Sequence, residues 1–307
     1  MVVVGPTASG KSAVACEIAR RIPSEIISCD SMQVYKSMPI LTGLGAALGS
    51  DPKVHLVSFL PPTKEYNAAQ FRKDALLKIE MIAKKGKVPI LVGGTGLYLR
   101  ALLDGLFEDE DGGPIGKDEK LRMRLADEAS KKGSAFLYEK LNQVDPFSAA
   151  KIHPNDTRRM IRALEVFYLT GRPFSEQKTR RRGIRGQWPC AIYLLDRDRA
   201  DLYERIEKRV DEMVKQGLVG EVKALQKKKL SLTAAGALGI REIGGYLKGE
   251  MSLSQAIALL KRNTRRYAKR QLSWFRHEKG VEKIPVENDD SVTAITGRII
   301  KRWKSAS

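Results

Sequence analysis

The sequence predicts an α/β protein: a P-loop-type parallel sheet flanked by helices, interrupted by an all-helical insertion. Three observations predict this class. Short apolar runs alternate with helical patterns through the first 110 residues, only helical patterns occur over 117–177, and an apolar run returns at 191–195.

Val2-Val3-Val4 reads as the first strand, although only four residues precede Gly5, so the strand is short or the recorded start is late. A helix is expected over 12–21 and a second strand over 25–29. Residues 67–84 repeat apolar side chains at helical spacing (Phe71, Ala75, Leu76, Ile79, Ile82). A third strand is read at 88–92, followed by glycines and a helical pattern from Leu97. Residues 108–114 are acidic and rich in turn formers, hence a linker. In the helical stretch beyond it, Asn155 or Asp156 caps a helix carrying Met160, Leu164 and Phe167, which Gly171 and Pro173 stop. A basic loop follows over 178–185, then the strand at 191–195, ending in Asp196. Long helices resume from Ala200. The expected domains are a catalytic core over 1–111 and 186–307 and an insertion over 112–185.

The 307 residues carry a net charge of +19. Residues 1–110 contribute +2, residues 111–185 +7 and residues 186–307 +10. A basic excess gathered after residue 110 points to a polyanionic partner, against the plainer alternative of a solvated basic surface. No apolar run approaches the roughly 20 residues of a membrane helix, and the apolar start breaks at Gly5-Pro6, unlike a signal peptide. Cys16, Cys29 and Cys190 show no paired spacing, against a disulfide framework or structural zinc site. A cytoplasmic protein without membrane contact, acting as a monomer, is expected.

Gly5-Pro6-Thr7-Ala8-Ser9-Gly10-Lys11-Ser12 fits the phosphate-loop pattern of nucleotide- and ATP-binding proteins, placed between an apolar strand and a helix as its mechanism requires. Backbone N–H groups turn around a phosphate, the following helix adds its positive end, Lys11 reaches the terminal phosphate, and the Ser12 hydroxyl can hold Mg²⁺. Phosphoryl-transfer enzymes of this kind place a metal-binding carboxylate on a further strand. Here the strand over 88–92 ends in Gly93-Gly94-Thr95-Gly96 instead. The available carboxylate is Asp30, at the end of the second strand, where a parallel sheet opens onto its ligand crevice. A helix cap remains the alternative for Asp30, and a plain strand-to-helix turn for Gly93–Thr95.

With Asp30-Ser31-Met32-Gln33-Val34-Tyr35 and Val92-Gly93-Gly94-Thr95-Gly96-Leu97-Tyr98, the phosphate loop resembles that of the tRNA dimethylallyltransferase (tRNA isopentenyltransferase) family. The resemblance runs on through Asn155-Asp156, Arg162–Val166, Leu202–Ile206, Arg209–Met213 and Gly217-Leu218 to Thr264–Phe275, in order along nearly the whole chain. It departs at Ile40–Gly45, at Arg158 and at Gly239-Ile240-Arg241-Glu242. The chain lacks the cysteines of the C-terminal zinc finger that eukaryotic relatives add, so it resembles the bacterial type.

The resemblance implies transfer of a dimethylallyl group from dimethylallyl diphosphate to N6 of the adenosine 3′ of the anticodon. It implies a diphosphate site of residues Gly5 to Ser12 with Arg209 as a second cation, Mg²⁺ on Ser12, Asp30 as the base and Thr95 as a donor to a diphosphate oxygen. A solvated helix charge is the alternative for Arg209. The anticodon stem-loop is expected to meet Asp30, Ser31, Met32, Gln33 and Thr95, together with Arg158, Arg159 and Arg162 on the insertion, in a clamp of core and insertion. A helix over 256–276 is expected to pack through Ile257, Leu260, Thr264, Ala268, Leu272 and Phe275. It would present Arg265, Lys269 and Arg270 to phosphates, with Tyr267 and Trp274 stacking on bases; a merely solvated face is the alternative. Prenylation of a free adenine nucleotide would leave the basic surface without a task, a small-molecule kinase lacks its strand-end carboxylate, and a non-catalytic RNA-binding protein would leave Asp30 and Thr95 idle.

Overall fold

A computed structural model describes residues 1–44, 52–106, 115–177 and 183–306. The expected linker at 108–114, the departure at Gly45 and most of the basic loop at 178–185 lie outside these residues. The chain forms two compact units, one of Met1–Leu102 with Arg185–Ser307 and one of Leu103–Ile184. The first junction thus falls at 102/103, where sequence reading put it at 111/112.

In the first unit β1 (Val2–Val4) leads to α1 (Lys11–Arg21), β2 (Ser24–Ser28), α2 (Pro39–Thr42), β3 (Val54–His55), α3 (Ala68–Ala83), β4 (Val88–Gly93) and α4 (Gly96–Leu103). The second unit holds α5 (Glu119–Lys132), α6 (Ser134–Val144), α7 (Pro146–Ala149), α8 (Thr157–Thr170) and α9 (Phe174–Gln177). The first unit resumes with β5 (Ile192–Arg197), α10 (Arg199–Lys215), α11 (Leu218–Gln226), α12 (Leu232–Ala235), α13 (Ile240–Leu247), α14 (Leu253–Arg276), β6 (Val281–Val286) and α15 (Val292–Ala306).

The sheet order is β3-β2-β4-β1-β5-β6. Each neighbouring pair is parallel, with Val3 opposite both Val92 and Tyr193. The central β1 is buried throughout, as its all-valine sequence requires of a strand covered on both faces. From β1 the chain builds outward on one side to β2, β3 and β4 and on the other to β5 and β6. The carboxyl end of β1 is therefore the switch point at which an open parallel sheet leaves a crevice.

Side chains of α1 and α15 cover one face, with Val14, Ala15, Ile18, Ile295 and Ile299 meeting Val3, Ile90 and Tyr193. Asn67 caps α3 through the amides of Ala69 and Gln70, and Phe71 on that helix stacks on Tyr98 of α4 at 4.5 Å between ring centres. Among the C-terminal helices, Val210, Met213, Val222, Ile243, Ala256 and Leu260 form a separate apolar cluster.

The second unit packs Leu125, Leu137, Leu141, Met160, Ala163 and Leu164. Asp156, not Asn155, caps α8, and Gly171 closes it in the left-handed region. Buried Glu165 accepts from Arg122 at 2.7 Å through both guanidinium nitrogens involved. No helix among the described residues is long and apolar enough to cross a membrane.

Candidate active site at the carboxyl end of the sheet

The phosphate loop leaves β1 as a tightly folded turn. A Cβ on Gly5 would lie 2.7 Å from the Ser9 hydroxyl. Gly10 sits at φ +92° and, less usually for a residue with a Cβ, Ala8 at φ +65°. Its carbonyls are held from outside: Arg197 donates to Ser9 and Arg205 to Ala8, each at 3.0 Å. Lys11 Nζ donates to the Pro6 carbonyl at 3.2 Å. Arg197 is itself buried and paired with Asp201 at 2.8 Å. The start of α1 has no side-chain cap and no acidic residue in its first turn. Its amides and positive end are thus available to an anion.

Beside the loop lies a cavity of about 400 Å³ lined by Lys11, Ser12, Gly43, Arg205, Lys208 and Arg209, with no carboxylate among the described residues of its wall. Burial pulls the Lys11 ammonium down to about 8, with Asp30 opposing the shift and Arg209 adding to it. Burial likewise lowers Arg209, and Asp30 again opposes. One carboxylate therefore faces two desolvated cations, leaving net positive potential for a multiply charged anion. Arg209 reaches this place over Gly43, which stands at φ +65° with the guanidinium where its Cβ would be.

The ends of β2 and β4 are knitted together above this cavity. Gly93 abuts the Cys29 carbonyl, 2.0 Å from where a Cβ would stand. The Thr95 amide donates to Cys29 O at 3.2 Å. Thr95 Oγ1 accepts from the Ser31 amide at 3.1 Å. Asp30 Oδ1 accepts from the Met32 amide at 2.9 Å, which makes a local turn; no helix follows for it to cap. The Gln33 side chain is engaged within the same segment, accepting from Ser28 Oγ at 2.7 Å and donating to Thr42 O at 3.5 Å. The departing residues Ile40 and Leu41 are anchored by Glu221, which accepts from both amides at 3.0 and 2.8 Å.

Helix α14 contributes three residues that sequence reading left unassigned or placed elsewhere. Gln271 accepts from the Thr7 amide and donates to the Gly94 carbonyl, both at 2.9 Å. Tyr267, one turn earlier, bonds to Thr95 and Gln271; burial, with Asp30 nearby, pushes its phenol well above the ordinary range. Trp274 packs on Gly96, where a Cβ would lie 2.2 Å from its indole nitrogen. Arg100 lies over the Trp274 ring at 4.2 Å. Tyr267 and Trp274, expected to stack on bases, are both half-buried and lie against the Thr95 turn and Gly96. A sequence signal for Gln271 existed, since residue 271 falls on the packing stripe of Thr264, Ala268 and Phe275, where a polar residue needs buried partners. Arg205 was also legible, one turn before Arg209 on the same face.

The expected RNA-facing cations differ in their freedom. Arg158, Lys269 and Arg270 are exposed. Arg159 is exposed with Asp156 at 3.3 Å, and Arg265 is paired with Glu207 at 2.5 Å. Arg162 is half-buried: its guanidinium binds Glu165 at 2.5 Å and the carbonyls of Gly116 and Ile115 at 2.9 and 3.1 Å. That arrangement closes the buried carboxylate of Glu165, so Arg162, expected to face RNA, has a structural task as well.

Comparison with known proteins agrees with this architecture. The IPP transferase family model matches residues 33–278, and an isopentenyl transferase model matches residues 1–55. The chain is 44% identical over 305 residues to the tRNA dimethylallyltransferase of Carboxydothermus hydrogenoformans, covering 98% of this chain and 96% of that one. It is 42% identical over 309 residues to that of Moorella thermoacetica, covering 98% and 94%. Among solved structures, it is similar to the full-length tRNA isopentenylpyrophosphate transferase of Bacillus halodurans at TM-score 0.69 and 37% identity, covering 99% and 96%. A eukaryotic dimethylallyltransferase captured acting on tRNA matches at TM-score 0.83 and 28% identity, covering 99% of this chain and 79% of that one. By fold, site and relatives alike, this chain belongs to the IPP transferase family, with the tRNA dimethylallyltransferases.

Proposed function

We propose that the protein transfers a dimethylallyl group from dimethylallyl diphosphate to N6 of the adenosine 3′-adjacent to the anticodon of a tRNA, in the cytoplasm. The observation that carries the reading is Asp30 facing Lys11 and Arg209 beside a cation-lined cavity with no carboxylate among its described residues. The diphosphate lies on the phosphate loop, and Lys11, Arg209 and the positive end of α1 stabilise charge as the allylic C–O bond breaks. The adenine amine supplies the electron pair for the new C–N bond, Asp30 takes its proton, and diphosphate leaves. Thr95 donates to a diphosphate oxygen.

Mg²⁺ fits this site in one way. Among the described residues no group of three His, Cys, Asp or Glu side chains is poised to hold a metal, whereas Ser12 is exposed at the cavity wall. The ion would be held by Ser12 and by diphosphate oxygens, where it would supply further neutralisation of the leaving group. The polyanionic tRNA suits the exposed Arg158, Arg159, Lys269 and Arg270. The test is incubation with bulk tRNA and dimethylallyl diphosphate, followed by mass analysis of nucleosides. Dimethylallyl-adenosine from tRNA supports the reading. Prenylation of adenine nucleotides alone, or phosphate transfer from ATP, refutes it.

A further inference from the structure

The phosphate loop and the Thr95 segment come from different strands, and their separation decides whether a diphosphate held by one is in reach of the other. One side chain spans them. Gln271 is buried, with one amide atom on the Thr7 N–H and the other on the Gly94 carbonyl, each at 2.9 Å. Gly94 immediately precedes Thr95, and a Cβ on Gly94 would lie 2.2 Å from Gln271 Nε2. The fit leaves no slack. At neutral pH only a primary amide offers an acceptor and a donor side by side at this length. An ionised carboxylate would face the Gly94 carbonyl with no proton to give, and a thioether would leave both backbone groups unpaired.

We propose that Gln271 is a positioning residue which sets the spacing between the phosphate loop and the Gly94-Thr95 turn, and so holds the bound diphosphate against Thr95. The inference rests on the function proposed above only in naming dimethylallyl diphosphate; the clasp itself is read out with inorganic pyrophosphate.

The experiment compares Gln271→Met, Gln271→Glu and the shorter Gln271→Asn with wild type. Readouts are pyrophosphate affinity by calorimetry, single-turnover prenyl transfer, tRNA affinity and thermal midpoint. In folded Gln271→Met, pyrophosphate affinity is expected to fall about tenfold and the single-turnover rate about 10²-fold, the size of a roughly 1 Å misplacement. The tRNA affinity should stay within about twofold. Gln271→Glu should be poor at pH 8 and recover relative to wild type toward pH 5, where a protonated carboxyl regains a donor for the Gly94 carbonyl. Taking the ratio to wild type at each pH divides out Lys11, Asp30, Arg209 and Tyr267. Should Gln271→Met fail to fold, Gln271→Asn, which reaches only one partner, is read in the same way. Wild-type pyrophosphate affinity and rate in a folded variant, or a Glu defect that does not change with pH, would overturn the proposal. Absence of prenyl transfer by the wild type would refute the proposed function, while pyrophosphate binding would still report on the clasp.

Discussion

Replacing Gly43 by alanine places a methyl group where Arg209 ends. The new Cβ would stand 2.0 Å from Nη2 and 2.9 Å from the guanidinium carbon, on a backbone at φ +65°. Two costs follow and can be separated. The left-handed backbone costs a residue with a Cβ about 1–2 kcal/mol wherever it occurs. Expelling Arg209 removes the charge-assisted contact proposed for it to the diphosphate, worth about 1.5–3 kcal/mol. The second cost appears in ligand affinity, as a rise of roughly 10- to 150-fold in the pyrophosphate dissociation constant. Gly86→Ala supplies the control: it has φ +69° and nothing within 4 Å of its Cβ. Gly86→Ala should lower the thermal midpoint and leave pyrophosphate affinity unchanged, whereas Gly43→Ala should change both. Calorimetric titration of each variant decides the matter. Unchanged affinity in Gly43→Ala would show that Arg209 does not serve the anion from this position.

Asp30→Asn should slow single-turnover transfer by about 10²–10⁴ while tRNA still binds, as expected for loss of a proton acceptor; a loss below about tenfold would remove Asp30 from that role. Because Lys11 titrates near pH 8 rather than at its ordinary 10.5, affinity for dimethylallyl diphosphate should decline as pH rises above about 8, and Lys11→Gln should bind weakly without that decline. The same shift has the opposite sign for stability. Between about pH 8 and 10.5 the unfolded chain holds the Lys11 proton that the folded chain has lost, so the unliganded protein gains stability with pH from this group, and Lys11→Gln should abolish the gain in pH-dependent unfolding. Lys269→Ala should lower the salt dependence of tRNA affinity by about one phosphate contact. Arg162→Ala should instead destabilise the second unit by about 1.5–3 kcal/mol, because it strips donors from buried Glu165, and should leave the salt slope unchanged; a changed slope would restore Arg162 to the RNA surface.

The parallel sheet was legible because its central strands are covered on both faces and read as apolar runs. β6 escaped because Val281–Val286 contains Glu282, Lys283 and Pro285, with only Ile284 and Val286 buried. Those residues are tolerated because β6 is an edge strand, where a proline costs no interior ladder bond. β3 is two residues long and leaves no periodic signal. In the site, Lys11, Asp30, Thr95 and Arg209 were named from motifs and resemblance. The groups that hold them in place were not, because their partners are backbone atoms: Arg197 and Arg205 serve carbonyls, and Gln271 serves one amide and one carbonyl. A linear pattern can mark such a residue, as the helical spacing of Gln271 and Arg205 does, but it cannot name a main-chain partner so far away in the chain. The bond from Arg162 to Glu165 was hidden for the converse reason, since a helical arginine facing water and one closing over a buried carboxylate share the same spacing.

The fastenings of the phosphate loop come long after it in the chain: Arg197, Arg205 and Gln271 follow their loop partners by 188, 197 and 264 residues. A nascent chain therefore carries the loop sequence well before it has all the groups that give the loop its shape. Closure over such separations makes this a late event in folding. Incomplete chains ending before α14 should accordingly have no capacity to capture diphosphates or nucleotides from the cell, although the whole motif is present in them. Maturation of the anion cradle is timed by the arrival of α14, so the loop becomes competent in the same step that completes the basic helix.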